Sequence, residues 1–136
     1  NIMKNILALI LTIILGSACE KNSDPSVIAP EKLVGSWINH SWPESNITYE
    51  KANELKYQDY GFAFYSNHLF VERKNSGWCG TPPISYGDYA GTWIKKGSII
   101  YITVDYWGGI AEYQWELISV DQNTITIHVL KEVYHE

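Results

Sequence analysis

From Leu33 onward, apolar and polar residues alternate with a period of two in short runs. Ile100, Ile102 and Val104 are each followed by a more polar residue, and other segments repeat this pattern. Such alternation is typical of β-strands with one buried face and one solvated face. After a turn at 66–67, Leu69 and Val71 continue it. The predicted inner face of the sheet comprises Phe62, Phe64, Trp93, Ile100, Ile102, Tyr113, Trp115, Ile125 and Ile127.

Short turn segments separate these strands, at 96–98, 107–109 and 121–123. Turns of this length leave no room for crossover helices, so neighbouring strands must pair antiparallel. Closing the sheet would remove its exposed edges. The sequence therefore predicts an all-β protein in which an antiparallel up-and-down meander closes into a small barrel.

Two segments interrupt the pattern. Residues 49–57 are polar, and their propensity favours one or two helical turns. Residues 75–86 contain two glycines and the pair Pro82–Pro83 around Trp78 and Cys79. We expect the second segment to be a structured loop at the barrel rim, where it could bind a ligand or fold back over one end.

The residues before Cys19 have the organisation of an export signal. Lys4 supplies a positive charge, residues 6–15 are apolar except for Thr12, and 16–18 are small. The small residues followed by Cys19 resemble the lipobox of bacterial lipoproteins, in which the cysteine becomes the lipid-modified N-terminus. The apolar run is about half the ~20 residues that a membrane-spanning helix needs. An ordinary secretory signal remains an alternative.

These observations predict three regions: a lipoprotein signal peptide at 1–18, a flexible tether at 19–32 and a barrel domain at 33–136. The tether interpretation follows from the polar composition of 19–32 and from Pro25 and Pro30. We expect a lipid anchor at Cys19 to attach the protein to the envelope of a Gram-negative bacterium. It would lie on the outer membrane, either in the periplasm or at the cell surface.

Composition and charge exclude some classes of partner. The net charge is −5 and the basic residues are scattered, so no cationic surface for nucleic acid is predicted. The chain is rich in aromatic residues, with six Trp, ten Tyr and three Phe, which suit packed sheets and also apolar or carbohydrate ligands. Acylation of Cys19 would leave Cys79 without a disulfide partner, as a packed apolar side chain or an exposed thiol.

Two Gly-x-Trp strands carry a family resemblance. Gly35 precedes Trp37, and Gly91 precedes Trp93, in the segments GSWI and GTWI. This pattern resembles that of small bacterial lipocalin-like lipoproteins, in which the indole lies across the closed end of a calycin-type barrel. The glycines would leave space for a neighbouring ring. The chain is shorter than true lipocalins and lacks their C-terminal helix and disulfide, so the resemblance implies a smaller cavity.

No catalytic or metal-binding motif is visible, and neither enzymatic activity nor a cofactor is predicted. The four histidines lack metal-ligand spacing, and no serine has nucleophile-elbow context. Carboxylates that alternate along strands are most simply explained as a solvated face. The candidate ligand-binding residues are Trp78, Tyr86, Tyr113 and Trp115.

Two functional hypotheses follow. In the first, the anchored barrel binds a small apolar or amphipathic molecule against its inner aromatic residues. In the second, side chains fill the barrel and its surface or the Trp78 loop binds another envelope protein or a glycan, which makes the protein a structural or interaction lipoprotein. A hollow barrel needs small or polar inner residues somewhere, and the inner set predicted above is bulky throughout.

Overall fold

Eight antiparallel strands close into a barrel in the computed structural model, which describes residues 23–42, 45–77 and 80–136. The all-β fold and its closure are confirmed. The strands are β1 (Gly35–Ser41), β2 (Ile47–Ala52), β3 (Gly61–Phe64), β4 (Leu69–Asn75), β5 (Tyr86–Lys96), β6 (Ile99–Tyr106), β7 (Gly109–Val120) and β8 (Thr124–His135).

The order of the strands around the barrel is β1-β2-β8-β7-β6-β5-β4-β3. Strands β3 to β8 follow one another as a meander, and the β1–β2 hairpin closes the gap between β8 and β3. Because β1 lies between β2 and β3, the connection 53–60 must pass over β1. It covers the outer side of this strand, where Ile38 is buried to 8% exposure.

Arg73 on β4 holds this connection in place. Its guanidinium donates hydrogen bonds to the carbonyl oxygens of Leu55 (3.2 Å) and Lys56 (2.7 Å). It also forms a two-pronged ion pair with Asp88 on β5, at 2.7 and 2.9 Å. Planar guanidinium–carboxylate pairs of this kind fix geometry as well as charge.

The inward positions of the strands form one aromatic and aliphatic core. All nine residues predicted for the inner face are buried, with 3% exposure or less. Phe62 lies at the centre, with ring centroids 4.7 Å from Tyr49, 5.1 Å from Trp115 and 5.4 Å from Phe64. Ring pairs at these distances stabilise a core beyond the area that they bury.

The core is sealed at the end of the barrel where β1 begins. The Trp37 indole is fully buried and donates a hydrogen bond to the Leu33 carbonyl oxygen at 2.9 Å. Lys51 covers its ring at 4.9 Å. The Trp93 indole donates to the Tyr65 carbonyl oxygen at 3.0 Å. Both Gly-x-Trp indoles therefore pack against the closed end.

The two motif glycines make room for groups other than an aromatic ring. A Cβ on Gly35, which has a φ of +137°, would lie 2.6 Å from Cε of Lys51. A Cβ on Gly91 would lie 2.2 Å from the backbone oxygen of Thr103. The expectation of a neighbouring ring is wrong at both positions: a lysine side chain fills one space and the β6 backbone the other.

Two further local predictions are also wrong. The first half of the predicted helical segment 49–57 belongs to β2, because β1 and β8 pair with it on both sides. Leu69 is 49% exposed, whereas Phe70 is fully buried. The inner face of β4 is therefore shifted by one residue from the sequence pattern.

The described N-terminal residues form short helical turns before the barrel begins. The described part of the predicted tether 19–32 contains the short 3-10 helix Pro25–Val27, and a second one, Pro30–Leu33, joins it to the barrel at the fully buried Leu33. Cys19, Trp78 and Cys79 lie outside the described residues. Within 23–42, 45–77 and 80–136, no helix combines the length and apolar character needed to cross a bilayer.

Candidate ligand-binding site

The opposite end of the barrel holds a cavity of about 720 Å³ that opens to solvent. Its volume falls within the range of roughly 300–1,000 Å³ that is usual for small-molecule sites. The residues that line it come from five strands and from the segments near the ends of β1, β2 and β3. They are His40, Trp42, Ser45, Ile47, Tyr49, Tyr60, Glu72, Lys74, Tyr113, Trp115, His128, Val129, Glu132 and Tyr134.

The shifted face of β4 places charged residues inside this end. Its inward positions run from Phe70 through Glu72 to Lys74 as the strand leaves the core. Glu72 is the one buried charged residue in the part of the chain that the structure describes, with 2% exposure. The polar inner residues that a hollow barrel requires are therefore present.

Three donors surround the Glu72 carboxylate. The Tyr60 hydroxyl donates to Oε2 at 2.7 Å, and the Tyr113 hydroxyl donates to Oε1 at 2.8 Å. The ammonium of Lys74 lies 2.5 Å from Oε1 and 3.2 Å from the Tyr113 hydroxyl oxygen. A buried charge is tolerated only when it is paired and hydrogen-bonded, and this arrangement meets both conditions.

The tyrosines of the site remain neutral donors. Burial raises the pKa of Tyr60, Tyr49 and Tyr113 well above the ordinary value, and the Glu72 carboxylate adds to the shift in each case. Ionising any of these hydroxyls would place a second negative charge beside Glu72. The rings therefore present apolar faces to the cavity, while the hydroxyls of Tyr60 and Tyr113 are hydrogen-bonded to Glu72.

Lys74 is held by rings as well as by Glu72. Its ammonium lies 5.3 Å from the Tyr89 centroid, 5.7 Å from that of Tyr113 and 6.0 Å from that of Tyr106. Cations at these distances are attracted to the faces of aromatic rings. These contacts and the ion pair with Glu72 hold the ammonium of Lys74 in one place in the cavity.

Trp115 and Glu132 place an indole N–H and a carboxylate beside each other in the cavity. Trp115 is 2% exposed, and its Nε1 is the buried side-chain polar atom without a hydrogen-bond partner among the described residues. Its N–H is close enough to Glu132 to lower the pKa of that carboxyl, without meeting hydrogen-bond geometry. Desolvation and the Glu72 charge outweigh this effect and raise the pKa of Glu132, although the residue is solvent-exposed at the mouth.

Aromatic residues also form the rim. The His40 ring centroid lies 4.9 Å from that of Trp42, 5.8 Å from that of Tyr60 and 5.9 Å from that of Tyr49. The Trp42 side chain is 71% exposed. An exposed indole beside a cavity of this kind offers apolar surface to whatever enters.

Two of the four candidate ligand-binding residues lie in the cavity. Tyr113 and Trp115 line it side by side, with stacked rings 5.5 Å apart. Tyr86 does not line it, because this residue starts β5 opposite Asn75. Trp78 lies outside the described residues, and its role stays a prediction.

The sequence pattern missed Glu72, Lys74 and Glu132. Counting by two from the buried Phe70 leads to Glu72 and Lys74, but the apolar residues Leu69 and Val71 favour the other face of β4. Glu132 pairs with Tyr113 across β7 and β8, beyond a bulge that shifts the alternation of β8. Without knowledge of that bulge, the inward direction of Glu132 cannot be read from the sequence.

The described residues form no candidate metal site, and comparisons with known proteins give no match. No group of three or more metal-ligating side chains occurs within the described ranges. No family model, curated protein or solved structure matches the chain.

Proposed function

We propose that this protein is a bacterial envelope lipoprotein with a lipocalin-like barrel that binds a small apolar or amphipathic ligand in its open end. The ligand-binding part rests on the cavity, and above all on its combination of aromatic walls with a buried polar cluster. The anchoring part rests on the sequence around Cys19 alone.

The lining suggests how such a ligand would be held. Trp42, Ile47 and Val129 offer apolar surface near the mouth, and Tyr49 and Tyr113 offer ring faces deeper inside. Removing apolar surface from water supplies the main driving force for such binding. The polar groups then fix the orientation of the ligand, as in most small-molecule sites.

Native mass spectrometry of the protein after incubation with an envelope lipid extract tests the proposal. We expect an adduct of defined mass in addition to any N-terminal lipid. Val129→Trp should abolish the adduct, because the indole would occupy the cavity. Ile94→Trp is the matched control, since Ile94 is 40% exposed and does not line the cavity. A folded protein without an adduct would favour the alternative of a structural or protein-interaction lipoprotein.

Anchoring has its own test. Cys19→Ser should release the protein from membranes that are washed with carbonate, because the acyl chains would be lost. A variant that stays with the washed membranes would contradict the lipid anchor without affecting the proposal for the cavity.

A further inference from the structure

We infer that the cavity selects a neutral amphiphile with a hydroxyl at its polar end, which accepts a hydrogen bond from Trp115 and donates one to Glu132. Fatty carboxylates would be rejected. This inference rests on the proposed function, because it specifies the class of ligand that the same cavity takes.

The first argument is the indole N–H of Trp115. More than nine-tenths of buried polar groups in native proteins have a hydrogen-bond partner, and an exception requires an explanation. Here the residue is 2% exposed, lines the cavity and has no acceptor among the described residues. The other two core indoles, Trp37 and Trp93, both donate to backbone oxygens. A ligand atom that accepts a hydrogen bond would complete the site.

The second argument is the carboxyl of Glu132 next to that N–H. Among the described residues no ion pair involves Glu132, because the lysine of the cavity is paired with Glu72 at 2.5 Å. Burial and the charge of Glu72 raise the pKa of Glu132, and together they outweigh the lowering effects of Trp115, Lys74 and Tyr134. This carboxylate can accept a hydrogen bond from a ligand.

One chemical group satisfies both atoms. A hydroxyl accepts through its lone pairs and donates through its proton, so it can join the Trp115 N–H to the Glu132 carboxylate. A carboxylate could accept from Trp115 but would face the negative charge of Glu132, which forms no ion pair among the described residues. An ammonium could pair with Glu132 but would leave the Trp115 N–H without an acceptor.

Three ten-carbon probes that differ only at the head test the inference: 1-decanol, decanoate and decylamine. We expect decanol to bind at least about tenfold more tightly than decanoate at pH 7.5, as measured by isothermal titration calorimetry. Decylamine should bind more weakly than decanol. Tighter binding of decanoate or decylamine would overturn the assignment of the head group while leaving the cavity a binding site. Failure of all three to bind would refute the proposed function itself.

Substitutions test whether Trp115 and Glu132 cause the preference for decanol over decanoate. Trp115→Phe keeps a ring but removes the donor, and should weaken decanol about tenfold, the value of one hydrogen bond. Glu132→Gln removes the charge and should strengthen decanoate by a similar factor. Trp107→Phe is the matched control, since Trp107 is 52% exposed and does not line the cavity. Unchanged decanol binding by folded Trp115→Phe would contradict the inference.

A spectroscopic measurement avoids any dependence on the folding of variants. Decanol should shift the indole ¹⁵N–¹H resonance of Trp115 downfield, as expected when this N–H gains an acceptor. The resonances of Trp37 and Trp93 should stay in place, because their N–H groups are already bonded. Saturation with decanol that leaves the Trp115 resonance unmoved would refute the hydrogen bond.

Discussion

The buried pair of Glu72 and Lys74 should dominate the stability of the open half of the barrel. Lys74→Met keeps the unbranched, apolar part of the side chain but removes its charged end. The Glu72 carboxylate would then remain almost fully buried with only the hydroxyls of Tyr60 and Tyr113 as donors. We expect a marked loss of stability from this single change.

The structure sets the size of this loss. Removing one partner of a buried ion pair typically costs about 3–5 kcal/mol, because an uncompensated charge is left behind. The Lys74 side chain is 15% exposed and that of Glu72 only 3%, so water can reach the site from one side. We therefore expect about 3 kcal/mol, at the lower end of this range.

A double variant separates charge from packing. In Glu72→Gln with Lys74→Met, the amide oxygen can still accept from the tyrosines and no charge is buried. Replacing a whole buried pair by neutral residues is often close to neutral for stability. The double variant should thus recover at least about 2 kcal/mol relative to Lys74→Met.

Urea unfolding followed by tryptophan fluorescence measures both values, since the free energy of unfolding varies linearly with urea concentration. A loss below about 0.5 kcal/mol for Lys74→Met would refute the argument. So would a double variant that is less stable than the single one, because the cost would then arise from packing.

Three more predictions follow from other contacts. Arg73→Ala should lower the free energy of unfolding by about 1 kcal/mol and speed amide hydrogen exchange about fivefold in the connection 53–60, because its hydrogen bonds hold this segment. Unchanged amide exchange in 53–60 would contradict this role of Arg73. Gly91→Ala should lower the free energy of unfolding in urea by about 3 kcal/mol, because the new Cβ would clash with the Thr103 backbone oxygen. An unfolding midpoint equal to that of wild type would show that the β6 backbone can move away without cost. The raised pKa of Glu132 means that its contribution to stability is present below the ordinary value of 4.5 and lost as pH rises through the raised value. Glu132→Gln should therefore have a higher melting temperature than wild type at pH 7, and the difference should vanish at about pH 4. A difference in melting temperature that does not change with pH would exclude the titration of Glu132 as its cause.

The closed half of the barrel could be predicted from the sequence because its strands alternate without interruption. Ile100, Ile102, Ile125 and Ile127 follow a strict period of two, and the structure buries each of them. A one-residue slip would move all of these side chains into water, so the pattern specifies the register strongly. The aromatic core could be predicted for the same reason.

The open half could not be predicted in the same way, since its register depends on partners that are distant in sequence. On β4 the apolar residues Leu69 and Val71 suggest one face, but pairing with β3 and β5 turns the other face inward. The segment that begins at Tyr49 has helical propensity, which strand pairing on both sides overrides. Tertiary contacts therefore determine which side chains face the cavity, whereas the local sequence pattern determines which side chains form the core.

The pairing of β2 with β8 has a consequence for how the barrel folds. Thr48 and Thr126 share a hydroxyl hydrogen bond of 2.9 Å although they are 78 residues apart in the chain. The β1–β2 hairpin can form from neighbouring residues, yet the other edge of β2 has no partner until β8 joins it. Contacts that span such distances form slowly. Until that final closure, the unpaired edge of β2 can recruit a strand from another molecule, so self-association competes with completion of the barrel.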